Sequence, residues 1–180
     1  MNLLKNFPQI ETDRLLLREF SLEKDLNDYA SIMAENEVGR WLPKGRGYTK
    51  DETIKFMEFI RDHWEKHGFG IWAVTDKATG SLLGHCGLNY IESLKEVEVL
   101  YALGFNGRGK GFCTEAAKAS LDFAFSDLKM NHIIALAKSD NGPSKNVMEK
   151  LGLKYTKDIE IFNMNCVYYE ISFEYNNIRN

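Results

Sequence analysis

Four glycines, Gly104, Gly107, Gly109 and Gly111, fall close together, with Arg108 and Lys110 set between the last three. A strand-like run, Glu96 to Leu103, precedes them, and a segment with Cys113, Ala117, Leu121, Ala124 and Leu128 at helical spacing follows directly. Glycines let a backbone approach a ligand closely, and a helix start offers unpaired amides at the positive end of its dipole. Such a loop suits a phosphate or pyrophosphate; without a ligand the same residues make only a glycine-rich helix entry. Two nucleotide loops are excluded by single positions. Gly104 to Lys110 reproduces the first seven places of G-x-x-x-x-G-K-[ST], but Gly111 stands where a hydroxyl would hold magnesium. The dinucleotide pattern G-x-G-x-x-G ends on Phe112 when started from Gly107 and on Thr114 when started from Gly109.

Other reactive residues make weaker constellations. Cys113 lies near a helix start beside Lys110, a setting that can lower a thiol pKa, although helix packing is the plainer role. His85 and Cys86 are neighbours on a strand-like run and so point to opposite faces. His63 and His67 share a helix face, but Trp64 occupies the place of the glutamate that a zinc-protease motif requires. No metal site is expected.

The elements that must position these groups can be read from pattern. Arg14 to Phe20 is a first strand, and Ser21 caps a helix carrying Leu22, Leu26, Tyr29, Ala30 and Met33 on one stripe. Gly39 to Gly47 reads as a loop, and Thr49 to Glu52 as a capping box opening a helix with Met57, Ile60 and Trp64 on one face. Phe69 to Asp76 and Ser81 to Ile91 are strands joined by the turn at Lys77 to Gly80, with Glu96 to Leu103 as the next. The glycine loop leads into a helix over Thr114 to Leu128. His132 to Ala137 is a further strand, and a helix starts at Asn141 to Ser144 with Pro143 in its first turn and Gly152 at its end. The tail, Ile159 to Tyr175, supplies closing strands. Strands mixed with crossover helices give an α/β or α+β fold.

The 180 residues, with no repeat, linker or composition break, read as one domain over 1–180. Lys and Arg number 23 against 26 Asp and Glu, a net charge of -3, which argues against general nucleic-acid binding. No apolar run approaches the ~20 residues of a bilayer span. Met1 to Gln9 lacks the basic-then-apolar pattern of a signal peptide, and 3 scattered cysteines fit no disulfide framework; the expected location is the cytoplasm, with no membrane partner.

Gly109-Lys110-Gly111-Phe112-Cys113-Thr114-Glu115-Ala116 resembles the acetyl-CoA loop of the GCN5-related N-acetyltransferases, closest to the ribosomal-protein-alanine acetyltransferase-like branch. Three more segments match in order: Thr12 to Arg18, Val97 to Tyr101, and Asn141 to Leu153 with Asn141, Ser144, Val147, Glu149, Lys150, Leu151 and Gly152 in place. The resemblance implies a mixed, mostly antiparallel central sheet splayed after its fourth strand, with helices on both faces. It further implies that pantetheine enters the gap against the backbone of Val99, Leu100 and Tyr101, and that Gly107, Arg108, Gly109, Lys110, Gly111 and Phe112 cradle the pyrophosphate.

The implied reaction is direct attack of a primary amine on acetyl-CoA, with no metal. A free amine is mostly protonated near neutral pH, so a base is needed. The resemblance assigns that role to Glu98, acting through water; the alternative is a solvated Glu on an alternating strand, like Glu96. A strand amide near Leu100 would hold the oxyanion. Many relatives place an acidic Tyr where this chain has Met148, which leaves Ser144 as the proposed acid and otherwise an ordinary first-turn hydroxyl. Asn141 would bind the cofactor arm or shape its turn, and Trp41 and Tyr48 would border the acceptor. The acceptor is a protein N-terminus or a small-molecule amine, and the chain a monomer or homodimer. Two other readings stand beside this one: a coenzyme A-binding sensor or partner-binding module without turnover, and, third, a magnesium-dependent nucleotide enzyme, which Gly111 disfavours.

Overall fold

The computed structural model describes residues 7–173. The chain begins with two short strands, β1 (Ile10–Glu11) and β2 (Leu15–Arg18), followed by helices α1 (Leu22–Ala34), α2 (Asn36–Gly39) and α3 (Lys50–His67). Strands β3 (Ile71–Asp76), β4 (Leu82–Ile91) and β5 (Glu96–Leu103) form a meander. After them come helix α4 (Phe112–Ser126), strand β6 (His132–Lys138), helix α5 (Gly142–Lys150), and strands β7 (Lys154–Ile161) and β8 (Met164–Ser172).

Local chemistry sets the helix ends. Ser21 caps α1 by accepting from the Lys24 amide. Thr49 and Glu52 exchange side-chain and backbone bonds in a complete capping box, and Gly68 ends α3 in the left-handed region at φ 73°. Asn141 caps α5 through its side chain.

Among the described residues, eight strands belong to one sheet in the order β1-β2-β3-β4-β5-β6-β8-β7. Every neighbouring pair is antiparallel except β5 and β6, which run parallel and are in register only at Glu98 and Ile134. By contrast, β4 and β5 pair along their length, from Gly84–Leu103 to Ile91–Glu96. The sheet therefore parts beyond Glu98, on the far side of the fourth of its longer strands, counting from β2. This is the mixed, splayed, mostly antiparallel sheet expected.

Successive β4 side chains show the two layers. His85 bonds Tyr29 of α1 at 2.8 Å on one face, while Cys86 meets Ser120 of α4 at 3.4 Å on the other. The main core, including Trp72, Leu88, Val99, Leu121 and Ile133, spreads across the sheet, with Phe112, Ala116, Ala117 and Leu121 of α4 packed into it. A second core joins Tyr29, Met33, Val38 and Met57 of the first three helices. A third, with Ile91, Ile134, Ile161, Cys166 and Tyr168, closes the β6-β8-β7 side.

Most element boundaries agree with the pattern within two or three residues. The pair β1 and the one-turn α2 carry too few residues for a period to show. The tail is two strands with its turn at Phe162 and Asn163, both at positive φ (53° and 57°), starting earlier than expected, at Lys154. Tyr175 lies outside the described residues.

Candidate active site at the parting of the sheet

Glu98 sits where β5 and β6 begin to separate. It pairs across strands with Asn89 of β4, whose Nδ2 donates to Glu98 Oε1 at 3.0 Å. The glutamate is 8% exposed, so it is not the solvated strand residue that alternation alone allowed. Burial raises its pKa from 4.5 to about 7, partly opposed by the Asn89 hydrogen bond, which favours the ionised form. A carboxyl group with that pKa exchanges a proton readily near neutrality. Glu96, two residues earlier, is more open and engages His132 Nδ1 at 3.1 Å.

The glycine loop has two halves. Phe105 to Gly107 form a single 3₁₀ turn in which the Gly107 and Arg108 amides already bond Gly104 and Phe105 carbonyls. Arg108, expected to face the phosphate, is engaged within the protein. Its guanidinium pairs with Glu35 and donates to the Leu103 carbonyl at 3.2 Å, tying the loop to the end of α1. Glu35 in turn accepts from the Phe105 amide at 3.0 Å. The second half is the open one. Gly109 and Gly111 have φ of 72° and 77°, a region L side chains rarely adopt, and a Cβ at Gly109 would meet nothing within 4 Å. Gly111 precedes α4 without a side-chain cap, so no capping side chain occupies the first-turn amides from Phe112 onward. Lys110 lies alongside, with Nζ donating to the Asn106 carbonyl at 3.1 Å.

The opening segment of the chain buttresses this helix start. Glu115 accepts from the Thr12 hydroxyl at 2.7 Å and from Arg14 Nε at 2.7 Å, and Arg14 lies over the Phe112 ring at 4.5 Å. Arg14 also donates to the Lys110 carbonyl at 2.9 Å.

On the α4 side of the sheet, Tyr101 of β5 reaches α5. Its hydroxyl lies 3.2 Å from Ser144 Oγ and donates to the Ser144 carbonyl at 3.2 Å. Burial raises the Tyr101 pKa far above its usual value, so the phenol stays protonated. Tyr101 was expected to offer only its backbone; its side chain is a site feature that sequence reasoning missed. Ser144 and Glu98 are not brought into contact, because Glu98 and Tyr101, three residues apart on β5, face opposite sides of the sheet. Asn141 spends its Oδ1 on the Ser144 amide at 3.1 Å, the turn-shaping alternative. Met148 is 1% exposed in the core.

Trp41 and Tyr48 occupy the loop between α2 and α3. Trp41 packs under the Arg40 guanidinium at 4.6 Å, and Tyr48 is half-buried, edge-on to Phe56 at 6.4 Å. The cysteines are quiet: burial pushes the Cys86 thiol up to about 12 and the Cys113 thiol well above its usual value. His63 is fixed between the Phe69 carbonyl and the Tyr90 amide, both at 2.9 Å. Among the described residues no group of His, Cys, Asp or Glu could hold a metal ion, and no helix is long and apolar enough to cross a membrane.

The fold recurs in known proteins. The model of the family described as acetyltransferase (GNAT) domain matches residues 14–154. YnaD of Bacillus subtilis, an uncharacterized N-acetyltransferase, is 29% identical over 146 residues, covering 81% of this chain and 82% of its own. An acetyltransferase from Agrobacterium tumefaciens superposes with a TM-score of 0.82 at 25% identity, over 96% of this chain and 99% of that one. The ribosomal alpha-N-protein acetyltransferase RimL, solved in complex with coenzyme A, shares the fold at a TM-score of 0.76 and 15% identity, over 92% and 98% of the two chains.

Proposed function

The chain belongs to the acetyltransferase (GNAT) family and is an acetyl-CoA-dependent acyltransferase, and from that premise we propose the reaction it carries out. The acetyl group passes directly to a primary amine, with a protein N-terminal amine as acceptor and Glu98 as the base. The observation that carries this reading is the buried carboxyl of Glu98, hydrogen-bonded by Asn89 at the point where β5 and β6 part.

Three features fit acetyl-CoA. The gap beyond Glu98 leaves one edge of Val99, Leu100 and Tyr101 free of a β6 partner, as a pantetheine arm would need. Gly109 offers space that a Cβ would fill, and the uncapped start of α4 offers amides to a pyrophosphate. Bound there, acetyl-CoA supplies an activated acetyl thioester. Gly109, Lys110, Gly111 and Phe112 hold the diphosphate. Gly107 and Arg108 instead brace the loop, since their amides and the Arg108 side chain are committed within the protein.

Glu98 takes a proton from the amine, directly or through a water, as the amine nitrogen bonds the acetyl carbon and the carbon–sulfur bond breaks. A β5 backbone amide near Leu100 steadies the oxyanion. Because Glu98 and Tyr101 look to opposite faces, the amine approaches from the Glu98 side and the thiolate departs toward Tyr101 and Ser144. The Ser144 hydroxyl, held by Tyr101, hydrogen-bonds that thiolate, which then takes its proton from solvent, a step that helps without being obligatory for so weak a base.

The N-terminal acceptor is carried over from the motif order of the ribosomal-protein branch and from what the RimL neighbour acts on. A cytoplasmic site of action goes with it. Trp41 and Tyr48 are the aromatic side chains proposed to meet the acceptor. The test is to incubate the purified protein with acetyl-CoA and a panel of N-terminal peptides and small amines, reading products by mass. One acetyl group gained on a peptide α-amine supports the reading. Acetylation of small amines alone would move the acceptor to that class, and no product despite acetyl-CoA binding would contradict both.

A further inference from the structure

Asn89 has a polar atom that the rest of the protein does not satisfy. Its Nδ2 is spent on Glu98, but Oδ1 is buried and has no hydrogen-bond partner among the described residues. An acceptor atom buried without a donor is destabilising, and native proteins rarely keep one without a use. Turning the amide over is no remedy. In the ionised state, in which Glu98 acts as a base, it would set Oδ1 against the carboxylate and leave a buried N–H pair stranded instead.

Around Glu98 no other described group bonds that oxygen. Ile134 lies opposite across the parallel pair, and Cys166 of β8 is close enough for its thiol to be raised by the Glu98 charge as well as by burial. Asn89 is the side chain hydrogen-bonded to Glu98 among the described residues. The two acceptor atoms, Asn89 Oδ1 and the Glu98 carboxylate, therefore stand side by side on directly paired strand positions.

We propose that Asn89 is a positioning residue for the acetyl transfer. Its Nδ2 fixes the Glu98 carboxylate, and its Oδ1 receives one N–H of the incoming amine while Glu98 receives another. The inference rests on the reading of Glu98 as the base. It also assigns a chemical preference: a primary amine has at least two N–H groups and satisfies both atoms, whereas an alcohol has a single O–H and leaves one of them unpaired. The seat selects nitrogen over oxygen acceptors of the same shape.

The experiment compares wild type, Asn89→Leu, Asn89→Ala and Glu98→Gln by steady-state kinetics over pH, with acetyl-CoA affinity and thermal melting as checks of the fold. Asn89→Leu is expected to raise the KM of the amine, or lower kcat/KM, by at least about tenfold, with acetyl-CoA affinity within about twofold. The acid limb of its kcat/KM profile should move to higher pH, because the N–H that favours the carboxylate is gone. A purely structural Asn89 would move neither readout in a folded variant. Asn89→Ala, the smaller change, should follow in the same direction. A folded Asn89 variant with wild-type amine KM and an unmoved limb overturns the proposal. If Glu98→Gln keeps the wild-type limb, the base assignment fails first; if it loses the limb while Asn89→Leu does not shift it, Asn89 alone is wrong.

Discussion

Glu98 holds its proton more tightly in the folded chain, near pH 7, than at its ordinary value of 4.5, because burial penalises the charge. The stability of the neutral, buried carboxyl is therefore fully present below about pH 4.5 and is lost as pH rises through about 7. A Glu98→Gln variant is neutral throughout. It is expected to match wild type near pH 4 and to exceed it by roughly 3 kcal/mol near pH 8, read from denaturant midpoints at the two values. Identical pH dependence of the two proteins would contradict the burial argument. Little of this was legible in the sequence. Glu96 and Glu98 look alike in an alternating strand, and only the neighbours differ: His132 beside one, Asn89 and the fold's interior beside the other. Asn89 belongs to no motif, because its partner lies on the next strand.

At the scale of elements, the glycine loop is the clearest inheritance from the chain. The alternation of Gly109, Lys110 and Gly111 before a helical pattern announced an open helix start, and the two positive-φ glycines supply it. Gly109→Ala places a methyl group where nothing lies within 4 Å. We expect a modest loss of stability, about 1 kcal/mol from the left-handed backbone, alongside at least about a tenfold loss of acetyl-CoA affinity. Calorimetric titration checks it, and unchanged affinity in the variant would remove Gly109 from the cradle. Caps were equally readable: Ser21, Thr49 with Glu52, and Asn141 act within three residues of themselves. The Arg108 partner was not readable for the opposite reason: its charge suggested phosphate, and Glu35, with which it pairs, lies at the end of α1 far back in the chain.

Over the whole molecule, the sheet is paired continuously from β1 through β5 and again from β6 to β7, and the two parts touch in register only at Glu98 and Ile134. In the proposed reading the extended arm of acetyl-CoA enters at that seam. Acetyl-CoA is accordingly expected to slow backbone hydrogen exchange over residues 99–103 and in the first turn of α4, more than in the β7–β8 hairpin. Slowing confined to the hairpin would place the arm elsewhere. At about a hundredfold excess over Kd, binding should also stabilise the fold by roughly 2.7 kcal/mol. The splay was legible only through resemblance to a known family, and the strand order was not legible at all. Periodicity identifies strands but not neighbours, and the β6-β8-β7 order depends on contacts between elements that patterning cannot rank.

The central claim is that Glu98 draws the proton from the amine, and the pH dependence of kcat/KM in wild type and Glu98→Gln tests it most directly. Wild type should rise with pH through a limb near 7. Glu98→Gln should bind acetyl-CoA as before, lose at least about a hundredfold in rate and retain only the titration of the amine itself. A Glu98→Gln enzyme with wild-type rate and an unchanged limb would contradict the account.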